Sequence, residues 1–214
     1  MEDQYTLIRS RRKTLSLTVT RDASVVVRAP LRMPVRDIDN FVKKHDQWIR
    51  RHRENVRKIL EAKPDFNYRD GDIIYLLGKP LRLCAVPGPE DDCLVLPPEG
   101  REAAVEAFLR KQAAQVIPGR VEELGEKMGL RPAGVKITGA KTRWGSCSGK
   151  NSLCFSFRLI CLPPGLVDAV VVHELAHIRI KNHSERFYRE VERIMPDYPI
   201  LRRQMKEFAA KLTV

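Results

Sequence analysis

The sequence predicts an α+β fold with a β-rich N-terminal half that contains one embedded helix, and a C-terminal half in which helices surround a small antiparallel sheet. Two observations support this prediction. Short segments rich in β-branched residues and bounded by turn residues fill most of residues 1–98, whereas a helical apolar period dominates the remainder. We therefore predict two domains, residues 1–98 and 99–214.

The N-terminal half begins with three strand segments, "YTLIRS", "LSLTVT" and "SVVVRAP", which predict a meander with a turn at Arg21-Asp22-Ala23. From Pro34 to about Leu60 the apolar residues follow a helical period among many basic residues, which predicts one long basic helix. Further strands are expected in "DGDIIYLLGKPLRLCAVPG" and "DDCLVLP", with turns around Gly78 and Gly88 and an end at Pro97-Pro98.

The C-terminal half begins with "EGREAAVEAFLRKQAAQVIPGRVEELGEKMG", which predicts one helix or a helix pair, kinked or divided at Pro118-Gly119. The segments "GVKITGAKTRWGSCS" and "NSLCFSFRLICL" predict a hairpin with a turn at residues 148–151, because apolar side chains alternate along the second segment. Three helices are expected next, from about Leu166, from Glu185 to Met195 and from Ile200 to Leu212.

The composition indicates a soluble globular protein, since 43% of the residues are hydrophobic and 31% are charged. No apolar run approaches the roughly 18 residues of a membrane span. The first residues lack the regions of a secretory signal, so we predict a cytoplasmic protein without a membrane segment. An odd number of cysteines argues against a complete disulfide framework, and Cys147, Cys154 and Cys161 are expected to be unpaired packing residues.

Much of the net charge of +12 lies near the N-terminus. Residues 1–60 hold 15 Lys and Arg against 7 Asp and Glu, and 15 − 7 gives +8. Two interpretations stay open for this charge. It attracts a polyanion such as nucleic acid, a nucleotide or an acidic protein, or it forms a solvated basic face. Nothing in the sequence indicates an oligomeric state.

The segment "VVVHELAHIRIKNH", residues 170–183, contains three histidines and a glutamate. On an α-helix His173 and His177 leave the same face about one turn apart, so both imidazoles can bind one ion. Glu174 is rotated by about 100° from His173, close enough to reach a metal-bound water. Two imidazoles, an open coordination position and a carboxylate are the requirements of zinc-dependent hydrolysis.

A catalytic zinc needs a third protein ligand, and His183 can supply it only if the helix ends first. On an unbroken helix His183 would be rotated by about 240° from His177. We expect Asn182, or less easily Lys181, to adopt the left-handed conformation that ends the helix. Ser184 is then the candidate N-cap of the next helix.

Two other interpretations of these histidines are less favoured. A core helix without a metal would bury two histidines and a glutamate with unsatisfied polar groups. A structural zinc normally uses cysteines and four protein ligands. A catalytic metal is therefore the better prediction.

Three segments carry a family resemblance: "YRDGDIIYLLGKPLRL", "KTRWGSCS" at residues 141–148, and "NSLCFSFRLICLPPGLVDAVVVHELAHIRIKNHSERFYREVERIMPDY" at residues 151–198. They resemble the YgjP-like predicted metallopeptidases, relatives of the SprT-like and WLM zincins. The resemblance implies a zincin-like C-terminal half whose HExxH helix packs on the small sheet. It also implies one Zn²⁺ per chain bound by His173, His177 and His183, with Glu174 as the catalytic carboxylate and a peptide or protein as substrate.

The roles of residues around this centre are less defined. Zincins align a substrate as an extra strand at a sheet edge, so a strand of the 142–160 hairpin is expected to supply that edge. Candidate oxyanion or substrate contacts are Arg143, Tyr188 and Tyr198, although Arg143 equally belongs to a segment that would fix the strand to the active-site helix. Met195 is expected to be a core residue rather than a methionine beneath the metal.

The leading functional prediction is a zinc-dependent metallopeptidase in which Glu174 activates a zinc-bound water for attack on a peptide carbonyl. One alternative is a metal-dependent nucleotide phosphohydrolase, which the basic N-terminal half would favour. A second alternative is a nucleic-acid-associated protease module, as in SprT-like relatives.

Overall fold

The chain forms two units, Met1–Asp65 and Phe66–Val214, in a computed structural model that describes residues 5–20, 23–62, 66–87 and 93–212. The described residues contain six α-helices and three small sheets, so the α+β class is confirmed. The domain boundary predicted from the sequence, between residues 98 and 99, differs from this division between residues 65 and 66. The structure joins the strands before residue 98 to the second unit, because Ile74, Leu83 and Leu96 pack in its core.

The first unit contains a mixed sheet rather than the predicted meander. Its strands are β1 (Thr6–Ser10), β2 (Ser16–Val19) and β3 (Val25–Pro30). Strand β3 lies in the centre, parallel to β1 and antiparallel to β2. Alternate residues of β3, Val25, Val27 and Ala29, are buried, so one face of this strand packs on the core of the unit. The predicted turn falls partly outside the described residues, at Arg21 and Asp22.

The predicted long basic helix is two helices, α1 (Val35–Lys44) and α2 (Asp46–Ala62). The break falls at His45, whose ring Nδ1 donates to the Phe41 carbonyl at 2.8 Å while its backbone N–H bonds to Val42. Side-chain bonding of this kind competes with the helical hydrogen-bond pattern. Both helices still contribute to the core of the unit, with Ile38, Val42 and Ile49 buried against β3.

The second unit begins with the predicted strands β4 (Ile73–Leu76), β5 (Lys79–Cys84) and β6 (Cys93–Val95). Strands β4 and β5 form an antiparallel hairpin, and β6 is parallel to β5. At the hairpin turn Gly78 has φ +78°, and a Cβ there would lie 2.8 Å from Pro163 Cγ. The turn therefore needs a glycine. A turn predicted at Gly88 lies outside the described residues.

The cysteines are divided between one disulfide and three free thiols. Cys84 and Cys93 on β5 and β6 are paired. Cys147, Cys154 and Cys161 are free, as predicted.

Helix α3 (Arg101–Met128) is a single helix of 28 residues that contains Pro118, so this residue does not divide it. Its buried face includes Leu109, Ala113 and Ile117. Further along, Arg120 makes a two-pronged ion pair with Asp168, at 2.8 and 2.7 Å. Pairs of this geometry hold two elements in a defined orientation.

The third sheet contains β7 (Gly134–Thr138), β8 (Gly145–Cys147) and β9 (Ser152–Ser156). The predicted hairpin is formed by β8 and β9, but β7 pairs with β9 in parallel, so the sheet is mixed rather than antiparallel. The predicted second strand also ends early, because residues 157–161 form a 3₁₀ helix that Ser156 caps. Strand β8 is at one edge of the sheet.

Three helices complete the second unit: α4 (Pro164–Arg179), α5 (Glu185–Ile194) and α6 (Tyr198–Lys211). Helix α4 is the central one, since it packs on α3, α5, α6 and β8. Most of its residues are buried, which matches its apolar sequence. Within the described residues, no helix is long and apolar enough to cross a membrane.

Candidate metal centre

Three imidazoles converge at the C-terminal end of α4. The Nε2 atom of His183 lies 3.1 Å from Nε2 of His177 and 3.0 Å from Nε2 of His173. Three nitrogens bound to one tetrahedral zinc ion would be about 3.3 Å apart, given bonds of about 2.0 to 2.1 Å. The donor atoms of these three residues therefore fit a single ion of that size.

Both histidines of α4 are oriented by a bond at the other ring nitrogen. Nδ1 of His177 donates to the carbonyl oxygen of Ile180 at 3.0 Å, and Nδ1 of His173 lies 2.7 Å from the hydroxyl of Tyr198. A proton on Nδ1 leaves the Nε2 lone pair free for a metal. Such partners fix both the tautomer and the direction of a ligand histidine.

Helix α4 ends differently from the prediction. Ile180 is extended, with φ −130° and ψ 104°, and neither Lys181 nor Asn182 is among the residues with positive φ. The extended Ile180 turns its carbonyl back to His177, so the residue that ends the helix also orients this imidazole. The left-handed turn expected at Asn182 is therefore wrong, although the chain does return His183 to the other two histidines.

The side chain of Lys181 fixes the segment that follows α4. Its ammonium donates to Asn151 Oδ1 at 2.6 Å and to the Ser148 carbonyl at 3.1 Å, both in the turn between β8 and β9. This contact ties the loop before His183 to the hairpin that contains the edge strand.

The aromatic ring of Phe187 lies beneath the three imidazoles. Its centroid is 4.8 Å from that of His173, 4.4 Å from that of His177 and 5.0 Å from that of His183. Phe187 is fully buried on α5. Phe187 was not among the predicted site residues, because in the sequence it is only one apolar position of the helix expected from Glu185 to Met195.

The environment keeps the two α4 histidines neutral. Burial, with smaller contributions from the charges of His177 and His183, lowers the pKa of His173 to about 3. Burial also lowers the pKa of His177. Neutral imidazole is the form that binds metal, so both rings are in the required state at neutral pH.

Glu174 lies beside the histidines and is only 6% exposed. Burial raises the pKa of its carboxyl group to about 7, and the charge of Arg143 opposes this shift. The carboxylate rests on strand β8: a Cβ at Gly145 would lie 2.6 Å from Glu174 Cγ and 2.9 Å from its Oε1. The absence of a side chain at residue 145 therefore makes room for the glutamate.

A model of the YgjP-like metallopeptidase domain matches residues 13–208 of this sequence. The chain belongs to the YgjP-like metallopeptidase domain family. This finding confirms the family resemblance seen in the motifs. No curated protein sequence matches the chain significantly.

Two solved structures are also similar to this YgjP-like chain. The metallopeptidase zymogen abylysin of Pyrococcus abyssi is 21% identical, with a TM-score of 0.42, and the match covers 46% of this chain and 100% of abylysin. The metallopeptidase zymogen jannalysin of Methanocaldococcus jannaschii is 19% identical, with a TM-score of 0.39, over 42% of this chain and 94% of jannalysin.

The other candidate site residues of the YgjP-like domain lie in different environments. Tyr198 is buried and engaged with His173, and burial raises its pKa to about 12. The ring of Tyr188 lies 6.3 Å from that of His183. Arg143 is exposed, and its positive charge partly opposes the rise that burial causes in the pKa of Glu174. Met195 packs against the apolar core of the unit, as expected for a core methionine.

Proposed function

We propose that this YgjP-like domain is a zinc-dependent peptidase with a zincin-like catalytic half. The proposal rests chiefly on one observation: three Nε2 atoms converge within the spacing of one zinc ion, and a buried carboxylate follows the first of them in sequence. When bound, zinc lowers the pKa of a coordinated water and polarises a carbonyl group. The histidines His173, His177 and His183 would be its ligands.

Glu174 is the proposed general base. Its carboxylate would take the proton of the attacking water and then deliver it to the amine that leaves. Its contact with Gly145 supports this role, because the backbone of β8 holds the carboxylate in one position. Preorganisation of this kind is required for efficient proton transfer.

The edge of β8 is the proposed binding site for the peptide. This strand pairs with β9 on one side, and within the described residues no strand pairs with its other side. A substrate in extended conformation can therefore hydrogen bond to its outer side. The scissile carbonyl would then lie near Glu174, which contacts the first residue of the strand, Gly145.

The test combines metal analysis of the purified protein with a screen of peptides and nucleoside triphosphates. We expect about one zinc per chain and peptide hydrolysis that Glu174→Gln abolishes. Glu126→Gln is the matched control, since it makes the same change at an exposed position of α3. Absence of zinc, or full activity in Glu174→Gln, would contradict the proposal. Hydrolysis of nucleoside triphosphates alone, also lost in Glu174→Gln, would replace it by the phosphohydrolase alternative.

A further inference from the structure

The first unit has an exposed pair of stacked aromatic rings on α2. The ring of Trp48 lies 3.8 Å from that of His52, with 26° between their planes. His52 also donates from Nδ1 to the carbonyl of Trp48 at 2.9 Å, which fixes its ring in this position. Trp48 remains 41% exposed, on a helix whose Ile49 is buried in the core. The stack is thus held in place while one of its members faces solvent.

The unit that carries this aromatic pair also exposes several basic residues. Arg51 follows Trp48 by three residues, so the two side chains are neighbours on the helix surface, and Arg51 is exposed. Exposed basic residues also lie on β3, on α1 and at the end of α1, at Arg28, Arg36, Lys43 and Lys44.

Negative charge is scarce on the same unit. Among the residues of this unit whose exposure is described, Asp37 and Glu54 are the exposed acidic side chains. Asp46, which is half-buried at the start of α2, is paired with Arg50 at 2.8 Å. The exposed charged side chains of the first unit are therefore mainly basic, and the Trp48 ring is exposed on the same unit.

We propose that the Trp48 face of α2, formed by Trp48, Arg51 and His52, binds single-stranded nucleic acid. A base would stack on the exposed indole, and Arg51, with other exposed cations of the unit, would contact the phosphates. Duplex nucleic acid offers few free base faces, because its bases are already stacked on one another. An acidic protein supplies negative charge but not an aromatic ring at every charged unit, whereas each nucleotide of a single strand carries both a phosphate and a base. The proposal does not depend on the metal centre.

The test measures binding of a fluorescently labelled oligothymidylate by the full chain, by fluorescence anisotropy at several salt concentrations. Trp48→Ala should weaken binding by about tenfold, and Trp48→Phe should retain most of the affinity, since a base stacks on either ring. Arg51→Gln should reduce the slope of log K against log salt by about 0.7, the value for one phosphate contact on a single strand. Thermal unfolding of each variant shows whether the fold is intact.

The matched control is Arg203→Gln, which removes the same charge from an exposed position of α6 in the second unit. It should leave the salt slope unchanged. The proposal is overturned if the wild-type protein does not bind the oligonucleotide, if Trp48→Ala binds as well as wild type, or if duplex DNA or polyglutamate binds as tightly as the single strand.

Discussion

The carboxylate of Glu174 rests directly on the backbone of Gly145, so close that a Cβ at residue 145 would lie 2.6 Å from Glu174 Cγ. The contact joins the helix of the metal centre to the edge strand that we propose as the substrate site. Strand and carboxylate must therefore be positioned together, and only the smallest residue permits the observed distance.

Gly145→Ala should lower kcat by about a hundredfold, because the new methyl group displaces the proposed general base by a fraction of an ångström or more. Zinc content should not change, since the three atoms nearest to the new methyl group all belong to Glu174 and none to a histidine. Steady-state kinetics on the best peptide, with metal analysis, test this expectation. Gly149→Ala is the matched control in the same hairpin, because a Cβ there would meet no atom within 4 Å. Equal losses in the two variants would show that the Glu174 contact is not the cause.

His183→Ala should weaken zinc binding by at least about a hundredfold. This is more than the loss of affinity that follows when only a hydrogen-bond partner of a ligand is removed. The Nε2 atom of His183 lies within 3.1 Å of both other Nε2 atoms, so no ligand in the described cluster replaces it. Competition with a chromophoric chelator measures the affinity, and His52→Ala is the control imidazole. An unchanged affinity would move the third ligand elsewhere, for example to Glu185 or Glu190, which are paired with Arg189 at 3.1 Å and with Arg179 at 2.7 Å.

Tyr198→Phe should reduce zinc affinity by about 10- to 100-fold, the range for loss of an outer hydrogen bond to a ligand histidine. The change removes only the hydroxyl that bonds to His173 Nδ1. Tyr188→Phe is the matched control: it removes the same group from a ring that lies 6.3 Å from the ring of His183, whereas the hydroxyl bonded to His173 belongs to Tyr198. If Tyr198→Phe keeps its zinc affinity but loses kcat, Tyr198 acts as an oxyanion donor instead.

The spacing of the histidines predicted their convergence, because helical geometry places His173 and His177 on one face whatever the rest of the fold does. The way α4 ends was not predictable in the same way. The carbonyl of the extended Ile180 bonds to His177. The side chain of Lys181 bonds to Asn151, which lies thirty residues earlier in the sequence. Contacts of this range override local preferences such as the tendency of asparagine to adopt positive φ.

The strand pairings were also only partly predictable from local sequence patterns. Local patterns located β8 and β9 and the turn between them, since a short hairpin depends on neighbouring residues. The parallel pairing of β7 with β9, like that of β1 with β3, depends on longer connections that carry no local signal. The break at His45 was missed because its apolar neighbours Val42 and Ile49 keep a helical period across it.

Lys181→Met should weaken zinc binding by about tenfold, the lower end of the range for groups that orient a ligand. The ammonium of Lys181 ties the loop before His183 to the turn between β8 and β9, through Asn151 Oδ1 at 2.6 Å. Asn151→Gly removes the same contact from the other side and keeps the positive φ of 61° that this position requires.

Asn151→Gly should produce an equal or smaller loss, because the Lys181 ammonium also bonds to the Ser148 carbonyl. The double variant should lose little more than Lys181→Met, which already removes both bonds. Lys150→Met is the control, since it removes an exposed lysine from the same turn. Chelator competition gives the zinc affinities of the four variants. Additive losses in the double variant would show that Lys181 and Asn151 act on the metal centre separately, and an unchanged affinity in Lys181→Met would show that His183 is positioned without this contact.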